Sequence, residues 1–195
     1  MKDFWKTKHD ENNNLWLTGC TLIEYKKYHN IDIDNKVVLE IGIGKGIATR
    51  EMSELVQKLY TIDIVQEALD KVSDISETFL TEQFIEIPPD TFDFIICNLV
   101  LQHCDSEACN FLISNAIRTL KPTGMLSIQT ADGANLSAQY KDFQKNKQLY
   151  MRNPNTVKQW IIDAGGTVGE NRTYNFHSAN IHWNIMEVVK DTYEA

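Results

Sequence analysis

The sequence lacks long apolar runs and an excess of basic residues. No apolar stretch approaches the roughly 18 residues that would cross a bilayer, and the polar start Met1–Phe4 lacks the apolar core of a signal peptide. We therefore expect a cytoplasmic protein with no membrane partner. The 19 basic and 27 acidic residues give a net charge of −8, which repels phosphate backbones. The longest basic cluster, Lys141–Lys147, is diluted by Asp142 and Asn146, so nucleic acid is disfavoured as a partner.

The four cysteines form no CxxC pair. Cys20, Cys97, Cys104 and Cys109 are therefore predicted to be free thiols in a reducing compartment. His103 lies beside Cys104 in the sequence, but the cysteine spacing fits none of the usual zinc patterns. We expect no metal site.

Linkers, low-complexity segments and internal repeats are also missing. The chain has 195 residues, of which 43% are hydrophobic, and this composition is ordinary for one soluble globular domain.

An apolar run, Val37–Ile41, leads into three glycines at alternate positions, Gly42, Gly44 and Gly46. This pattern predicts a buried strand that turns sharply into a helix, with a loop against which a ligand can lie directly on the main chain. A dinucleotide-binding fingerprint would need its third glycine where Ile47 stands. The spacing of a phosphate-binding P-loop is absent as well.

The pattern that remains is Glu-x-Gly-x-Gly-x-Gly, beginning at Glu40. It resembles the first motif of the class I S-adenosylmethionine (SAM) dependent methyltransferases. A second apolar run, Leu59–Ile64, contains Asp63 about 20 residues after the first glycine, where such folds place a ribose-binding carboxylate. Asp63 is therefore the candidate ribose ligand, because a carboxylate accepts hydrogen bonds from both ribose hydroxyls.

Two later segments are similar to the same family. Phe92–Cys104 resembles its fourth-strand motif, and Leu120–Ile128 resembles its Leu-Lys-Pro-x-Gly turn before the fifth strand. The resemblance implies SAM as the cofactor and S-adenosylhomocysteine (SAH) as the product. It also implies a set of cofactor-binding residues: Glu40, Gly42, Gly44, Gly46, Asp63, Ile64, Asn98 and Leu99.

His103 is the candidate catalytic base. It follows the fourth strand, where the family's acceptor approaches, and an imidazole titrates close to neutral pH. The alternative is a histidine that packs over the cofactor or caps the next helix. Trp16, Tyr140 and Arg152 are candidate substrate-binding residues, because they could supply stacking surfaces and an anion contact.

We expect the Rossmann-like α/β fold of class I methyltransferases in one domain spanning residues 1–195. Its sheet would have seven strands, mainly parallel, with an antiparallel C-terminal hairpin and helices on both faces. We assign 1–35 to an N-terminal helical lid or substrate segment, 36–130 to the SAM-binding core, 131–153 to a substrate-side insertion and 154–195 to the last helix and edge hairpin.

Hydrophobic periodicity and turn residues predict the individual elements. Helices are expected over residues 18–28, 47–58, 66–76 and 106–120, followed by a helix capped by Asn153 or Asn155. The third strand is either Thr78–Thr81 or Phe84–Ile87, and the last two strands are Val168–Phe176 and Ile181–Val189.

The resulting hypothesis is a methyltransferase acting on an oxygen or nitrogen of a small molecule, such as a sugar or another biosynthetic intermediate. The first alternative is a methyltransferase for RNA or protein. Asn98–Leu101 stands where many of those enzymes carry an Asn/Asp-Pro-Pro-Tyr/Phe tetrad, which lowers this alternative. The second is a regulatory protein that binds SAM without catalysis.

Overall fold

The computed structural model describes residues 2–10, 20–133, 149–176 and 181–191, together with Lys141 and Lys145. The strands are β1 (Val37–Ile41), β2 (Lys58–Asp63), β3 (Glu77–Leu80), β4 (Phe92–Cys97), β5 (Leu120–Asp132), β6 (Gly166–Phe176) and β7 (Ile181–Lys190). The helices are α1 (Lys2–Asp10), α2 (Leu22–Tyr28), α3 (Ile47–Ser53), α4 (Gln66–Leu69), α5 (Ser106–Thr119) and α6 (Pro154–Asp163). Two 3₁₀ turns span Thr81–Glu86 and Leu101–His103.

The strands form one seven-stranded sheet in the order β3-β2-β1-β4-β5-β7-β6. β1 to β5 pair in parallel, whereas β7 runs antiparallel to both β5 and β6. The predicted mainly parallel sheet with an antiparallel hairpin at its edge is confirmed. The chain order reverses at β1 and β4, and in such sheets ligands bind beyond the carboxyl ends of the strands at this switch point.

Alternating strand residues fill two hydrophobic cores, one on each face of the sheet. Leu39 belongs to the core covered by α5 and α6, whereas its neighbour Val38 packs with residues of α2 and α3. Fully buried strands covered on both faces explain why β1 and β4 read as continuous apolar runs. No helix in the described ranges combines the length and apolar character needed to cross a membrane.

Three of the predicted helices are shorter in the structure. The N-terminal one begins at Leu22, because Thr21 caps it in a reciprocal pair with Glu24; residues 18 and 19 lie outside the described residues. The helix after the glycines ends at Ser53 instead of residue 58, since Lys58 already pairs with Val37 in the sheet. The next one ends at Leu69, far short of residue 76.

The remaining ambiguities are resolved by the sheet. The third strand is Glu77–Leu80, whereas Phe84 lies in the 3₁₀ turn that follows and points into the core. Asn153 caps α6, with Pro154 in its first turn. The predicted turn at Lys121–Gly124 lies within β5 as an irregularity in its pairing with β4, between the pairs Leu120–Phe92 and Met125–Phe94.

Candidate functional site

A cavity of about 130 Å³ lies beyond the carboxyl ends of β1, β2 and β4. Its walls are mostly apolar and include Ile41, Ile62, Ile64 and Val100. This is the switch point of the sheet, where the parallel strands deliver their following loops to one place. The cavity is therefore the candidate functional site, and its position follows from the strand order.

The glycine loop adopts the left-handed backbone that its sequence predicts. Gly42, Gly44 and Gly46 have φ angles of 75°, 56° and 73°, a region that other residues rarely enter. The Gly42 N–H donates to Ile62 O at 2.7 Å, which fastens the loop to β2. A Cβ on Gly42 would lie 2.3 Å from Val100 Cγ2. Close packing of the loop on the chain after β4 therefore adds to the need for glycine here.

The three glycines differ in their position relative to the cavity. Gly42 and Gly44 line the cavity, whereas Gly46 is the residue before α3, where a Cβ would lie 2.7 Å from Val72 Cγ1. Gly46 is not among the residues that line the cavity. In the described structure, its left-handed backbone directs the chain into α3.

Glu40 is buried beneath the loop and is also not among the cavity-lining residues. The Tyr25 hydroxyl donates to Glu40 Oε1 at 2.9 Å, and the Thr49 hydroxyl donates to Oε2 at 2.6 Å. Burial raises the pKa of the Glu40 carboxyl to about 7, and the two hydrogen bonds oppose that rise. Glu40 thus links β1 to α2 and α3, and its predicted contact with the cofactor stays a prediction.

Asp63 ends β2 and faces the cavity. Its Oδ2 accepts the Ile43 N–H at 3.1 Å and its Oδ1 accepts the Val65 N–H at 3.0 Å. Burial raises the pKa of the carboxyl to about 6, against the lowering effect of these backbone N–H groups. Each oxygen accepts one of these bonds and has further acceptor capacity. The predicted position for a ribose carboxylate is occupied by a fixed, ionisable side chain, with Ile64 beside it in the wall.

The turn after β4 brings Asn98 and Leu99 to the cavity. Leu99 has a φ of 57°, which is uncommon for a residue with a branched side chain. Its N–H donates to Gln129 Oε1 at 2.6 Å, and Gln129 Nε2 donates to the Tyr174 hydroxyl at 2.8 Å. The strained turn is therefore held from the neighbouring β5 and, through Tyr174, from the edge hairpin.

His103 closes the 3₁₀ turn after β4 and lines the same cavity. Its ring lies edge-on against Trp5 of α1, with ring centroids 4.7 Å apart. Trp5 and His9 both line the cavity, so α1 forms one of its walls. Neither residue was predicted from the sequence; their spacing of four along a short polar helix was the available signal.

A buried polar network joins the cavity to the interior. The Asn98 side chain accepts from His29 Nε2 at 2.9 Å, and His29 Nδ1 lies 2.7 Å from the Ser127 hydroxyl. Asn98 also hydrogen-bonds the Tyr25 hydroxyl, which in turn donates to Glu40. This chain of contacts links β5, α2, β4 and β1 beneath the cavity, and periodicity gave no sign of it.

The structure describes one of the three predicted substrate-binding residues. Trp16 and Tyr140 lie outside the described residues. Arg152 is half-buried, and its guanidinium donates to the main-chain oxygens of Leu101, Tyr150 and Cys104. Among the described residues no group of His, Cys, Asp and Glu has the arrangement of a metal site.

Most of the chain matches one known protein family. Residues 23–175 match the family model described as a methyltransferase domain. A search of the curated proteins finds no match to the chain.

Solved structures share the fold at low sequence identity. The 1,6-didemethyltoxoflavin-N1-methyltransferase of Burkholderia thailandensis, solved with its acceptor and SAH, superposes with a TM-score of 0.71 at 15% identity, over 98% of this chain and 87% of that one. Magnesium protoporphyrin IX methyltransferase of Synechocystis, bound to SAH, gives 0.71 at 12% identity, over 97% and 98%. Phosphoethanolamine N-methyltransferase 2 of Haemonchus contortus, bound to phosphomonomethylethanolamine and SAH, gives 0.69 at 18% identity over 88% of this chain. The chain spans about half of the Haemonchus protein, 52% of its length.

Proposed function

The chain belongs to the methyltransferase domain family, and from this membership we propose that it transfers a methyl group from SAM to an oxygen or nitrogen atom of a small molecule. The observation that carries the proposal is the placing of Asp63 and the left-handed Gly42 and Gly44 around one cavity at the switch point of the sheet. The structural relatives named above were crystallised with SAH, which supports the same cofactor here.

The residues around the cavity fit a SAM-type ligand. Asp63 would accept hydrogen bonds from the ribose hydroxyls, since its two oxygens are already fixed by the Ile43 and Val65 N–H groups. Gly42 and Gly44 leave the main chain open to the ligand. The apolar walls that include Ile64 would exclude water from the adenosine part.

SAM, when bound, supplies an electrophilic methyl group on a sulfonium. The protein then has to hold the acceptor in line with that methyl group, which is mainly a matter of positioning. His103 stands where the chain leaves β4 for the cavity and could take a proton from an acceptor hydroxyl or ammonium group. Trp5 against the His103 ring would limit the access of water from the side of α1.

The charge of the chain and the character of the cavity favour a small acceptor. A net charge of −8 disfavours a nucleic acid, and the cavity is lined mainly by apolar side chains. The relatives from Burkholderia and Haemonchus are each bound to a small molecule besides SAH. An RNA or protein acceptor is the competing outcome of the experiment that follows.

The first experiment is calorimetric titration of the protein with SAM and, separately, with SAH. Dissociation constants of about 1–100 μM for both would support the cofactor. Transfer of a labelled methyl group from SAM should then be screened against small hydroxylated and amino compounds, RNA and denatured protein. Labelling of macromolecules alone would contradict the small-molecule proposal. Binding of neither SAM nor SAH would contradict the proposed cofactor.

A further inference from the structure

We propose that Arg152 is a positioning residue that holds the Leu101–His103 turn, and with it the His103 ring, in place, instead of binding the methyl acceptor. The inference deepens the proposed function and rests on it, because His103 matters for methyl transfer only if the cavity receives SAM and an acceptor.

The guanidinium of Arg152 is directed at the main chain around His103. Nη1 donates to Leu101 O at 2.8 Å and to Tyr150 O at 3.1 Å. Nη2 donates to Cys104 O. Arg152 thus contacts a carbonyl on each side of His103. Three of the five N–H donors of an arginine are engaged in these bonds.

The main chain next to Arg152 completes the attachment. The Tyr150 N–H donates to Gln102 O at 2.6 Å, and the Arg152 N–H donates to Ala131 O at 3.3 Å. The carbonyls of Leu101, Gln102 and Cys104 are therefore all bonded from residues 150 and 152, and that segment is itself tied to β5.

Two aromatic rings lie beside the guanidinium. Arg152 Cζ lies 5.5 Å from the ring centroid of Tyr150 and 5.6 Å from that of Trp160. Trp160 belongs to α6, so the side chain is anchored to a helix of the core. Cation–π contacts and a preorganised planar fork favour a fixed structural role over a mobile anion-binding one.

Other contacts also hold the turn, since Leu101 is buried in the core and the Cys109 thiol donates to Leu101 O at 3.6 Å and to Cys104 O at 3.8 Å. Inside it, the His103 N–H donates to Val100 O at 2.9 Å and the Cys104 N–H to Leu101 O at 3.2 Å. It follows Leu99, whose backbone is strained. A single 3₁₀ turn has poor hydrogen-bond geometry and limited stability of its own. The donors from residues 150 and 152 therefore add to the contacts that direct the His103 ring toward the cavity.

The test compares R152M and R152K with a matched control, R118M. Methionine keeps an unbranched apolar side chain but has no hydrogen-bond donor. Arg118 provides the control because its guanidinium also binds main-chain oxygens beside a 3₁₀ turn, Phe84 O at 2.9 Å and Ile87 O at 2.7 Å. The readouts are NMR signals from ¹³C-labelled histidine rings, with His103 assigned through H103Q, and amide hydrogen exchange of His103 and Cys104. SAH affinity is measured in parallel.

In R152M we expect the His103 and Cys104 amides to exchange at least about tenfold faster and the His103 ring signal to shift or broaden. R152K should show smaller changes of the same kind, because one ammonium cannot bind two carbonyls in the manner of a planar fork. R118M should leave the His103 signals unchanged. SAH affinity should change by less than about threefold in every variant, since no residue assigned to the cofactor is altered.

Native His103 signals and exchange rates in R152M would overturn the proposal, as would equal changes in R118M. If R152M does not fold, R152K carries the test, and a native turn in R152K has the same meaning. The NMR readouts need no ligand. If SAH does not bind the unaltered protein, the proposed function is contradicted. The NMR and exchange measurements still test the role of Arg152 in that case.

Discussion

His29 donates a hydrogen bond from Nε2 to Asn98 Oδ1 across 2.9 Å, although 69 residues separate them in the chain. An amide oxygen can only accept, so the proton of the neutral imidazole is on Nε2 and Nδ1 accepts from the Ser127 hydroxyl at 2.7 Å. Burial lowers the pKa of His29 to about 4, which keeps the ring neutral at physiological pH. Nε2 carries its proton in both the neutral and the protonated ring, so protonation of His29 would preserve the bond to Asn98 and turn Nδ1 from an acceptor into a donor toward Ser127.

The stability of the protein should depend on pH through His29. The folded-state pKa of about 4 lies below the ordinary value of 6.5, so the unfolded chain binds the proton first. The contribution of neutral His29 is complete above about pH 6.5 and is lost as the pH falls toward 4. The free-energy difference between wild type and H29Q should therefore shrink by on the order of 3 kcal/mol over that range.

Urea unfolding of both proteins at several pH values measures this difference. The comparison with H29Q removes the opposite contributions of Glu40 and Asp63, whose raised pKa values favour the folded state on acidification. A difference that is independent of pH would contradict the role given to His29.

Cofactor affinity should depend on pH through Asp63. The pKa of this carboxyl is raised to about 6, and the protonated form is a poorer acceptor for ribose hydroxyls. SAH binding to the wild type should therefore weaken as the pH falls below about 6 and level off above it. D63N should bind SAH more weakly by about 1–3 kcal/mol and show a flat profile over the same range.

The matched control for this prediction is D74N, because Asp74 is an exposed carboxylate paired with Arg50. Its calorimetric titration should follow the wild-type profile. A pH-dependent step that persists in D63N would mean that another group controls binding.

Removal of the imidazole at position 103 should reduce turnover much more than cofactor binding. With an acceptor identified by the screen, H103Q should lower kcat by about 10²–10⁴-fold if His103 is the general base. SAH affinity should change by less than about threefold. H182Q is the control, because His182 is an exposed residue of β7. Wild-type kcat in H103Q would assign His103 to packing against Trp5 instead.

Substitution of Gly42 by alanine should destabilise the protein in two ways, through backbone strain and through a steric clash. An alanine there would adopt the unfavourable φ of 75° and place its Cβ 2.3 Å from Val100 Cγ2, so G42A should lose about 2–5 kcal/mol of unfolding free energy. Gly165 has a φ of 82° but nothing within 4 Å of an added Cβ. G165A should therefore lose only the backbone cost, about 1–2 kcal/mol.

A double-mutant cycle with V100A separates the clash from the strain. The cost of G42A should fall in the V100A background, and the remaining cost should approach that of G165A. If G42A lowers the free energy of unfolding equally in both backgrounds, a clash with the Val100 side chain does not contribute to its effect.

The parts of the site that depend on neighbouring residues were predictable from the sequence. Gly42 and Gly44 follow a buried strand, Asp63 ends the next one, and the parallel order of the sheet brings them to one edge. His103 was placed at the cavity by the same reasoning. Its role as a base stays a prediction.

The remaining features depend on contacts between distant parts of the chain. His29 meets Ser127 across 98 residues, and Arg152 meets Leu101 across 51, and neither contact leaves a trace in periodicity or spacing. The predicted helix lengths were wrong for a related reason. The sequence over 47–58 could continue a helix, but pairing of Lys58 with Val37 stops it earlier. Tertiary pairing here overrides local helix propensity.

Gln129 joins the Leu99 main chain to the Tyr174 hydroxyl, and the Tyr174 ring stacks on Tyr28 at 4.3 Å. Anyone who redesigns this protein for a new acceptor by exchanging the edge hairpin would therefore also alter the support of the loop after β4. Replacing Tyr174 while keeping Gln129 would leave the Gln129 amide without its hydroxyl partner. The unit that can be exchanged as a module is the hairpin together with Gln129 and Tyr28, and libraries should vary these positions jointly.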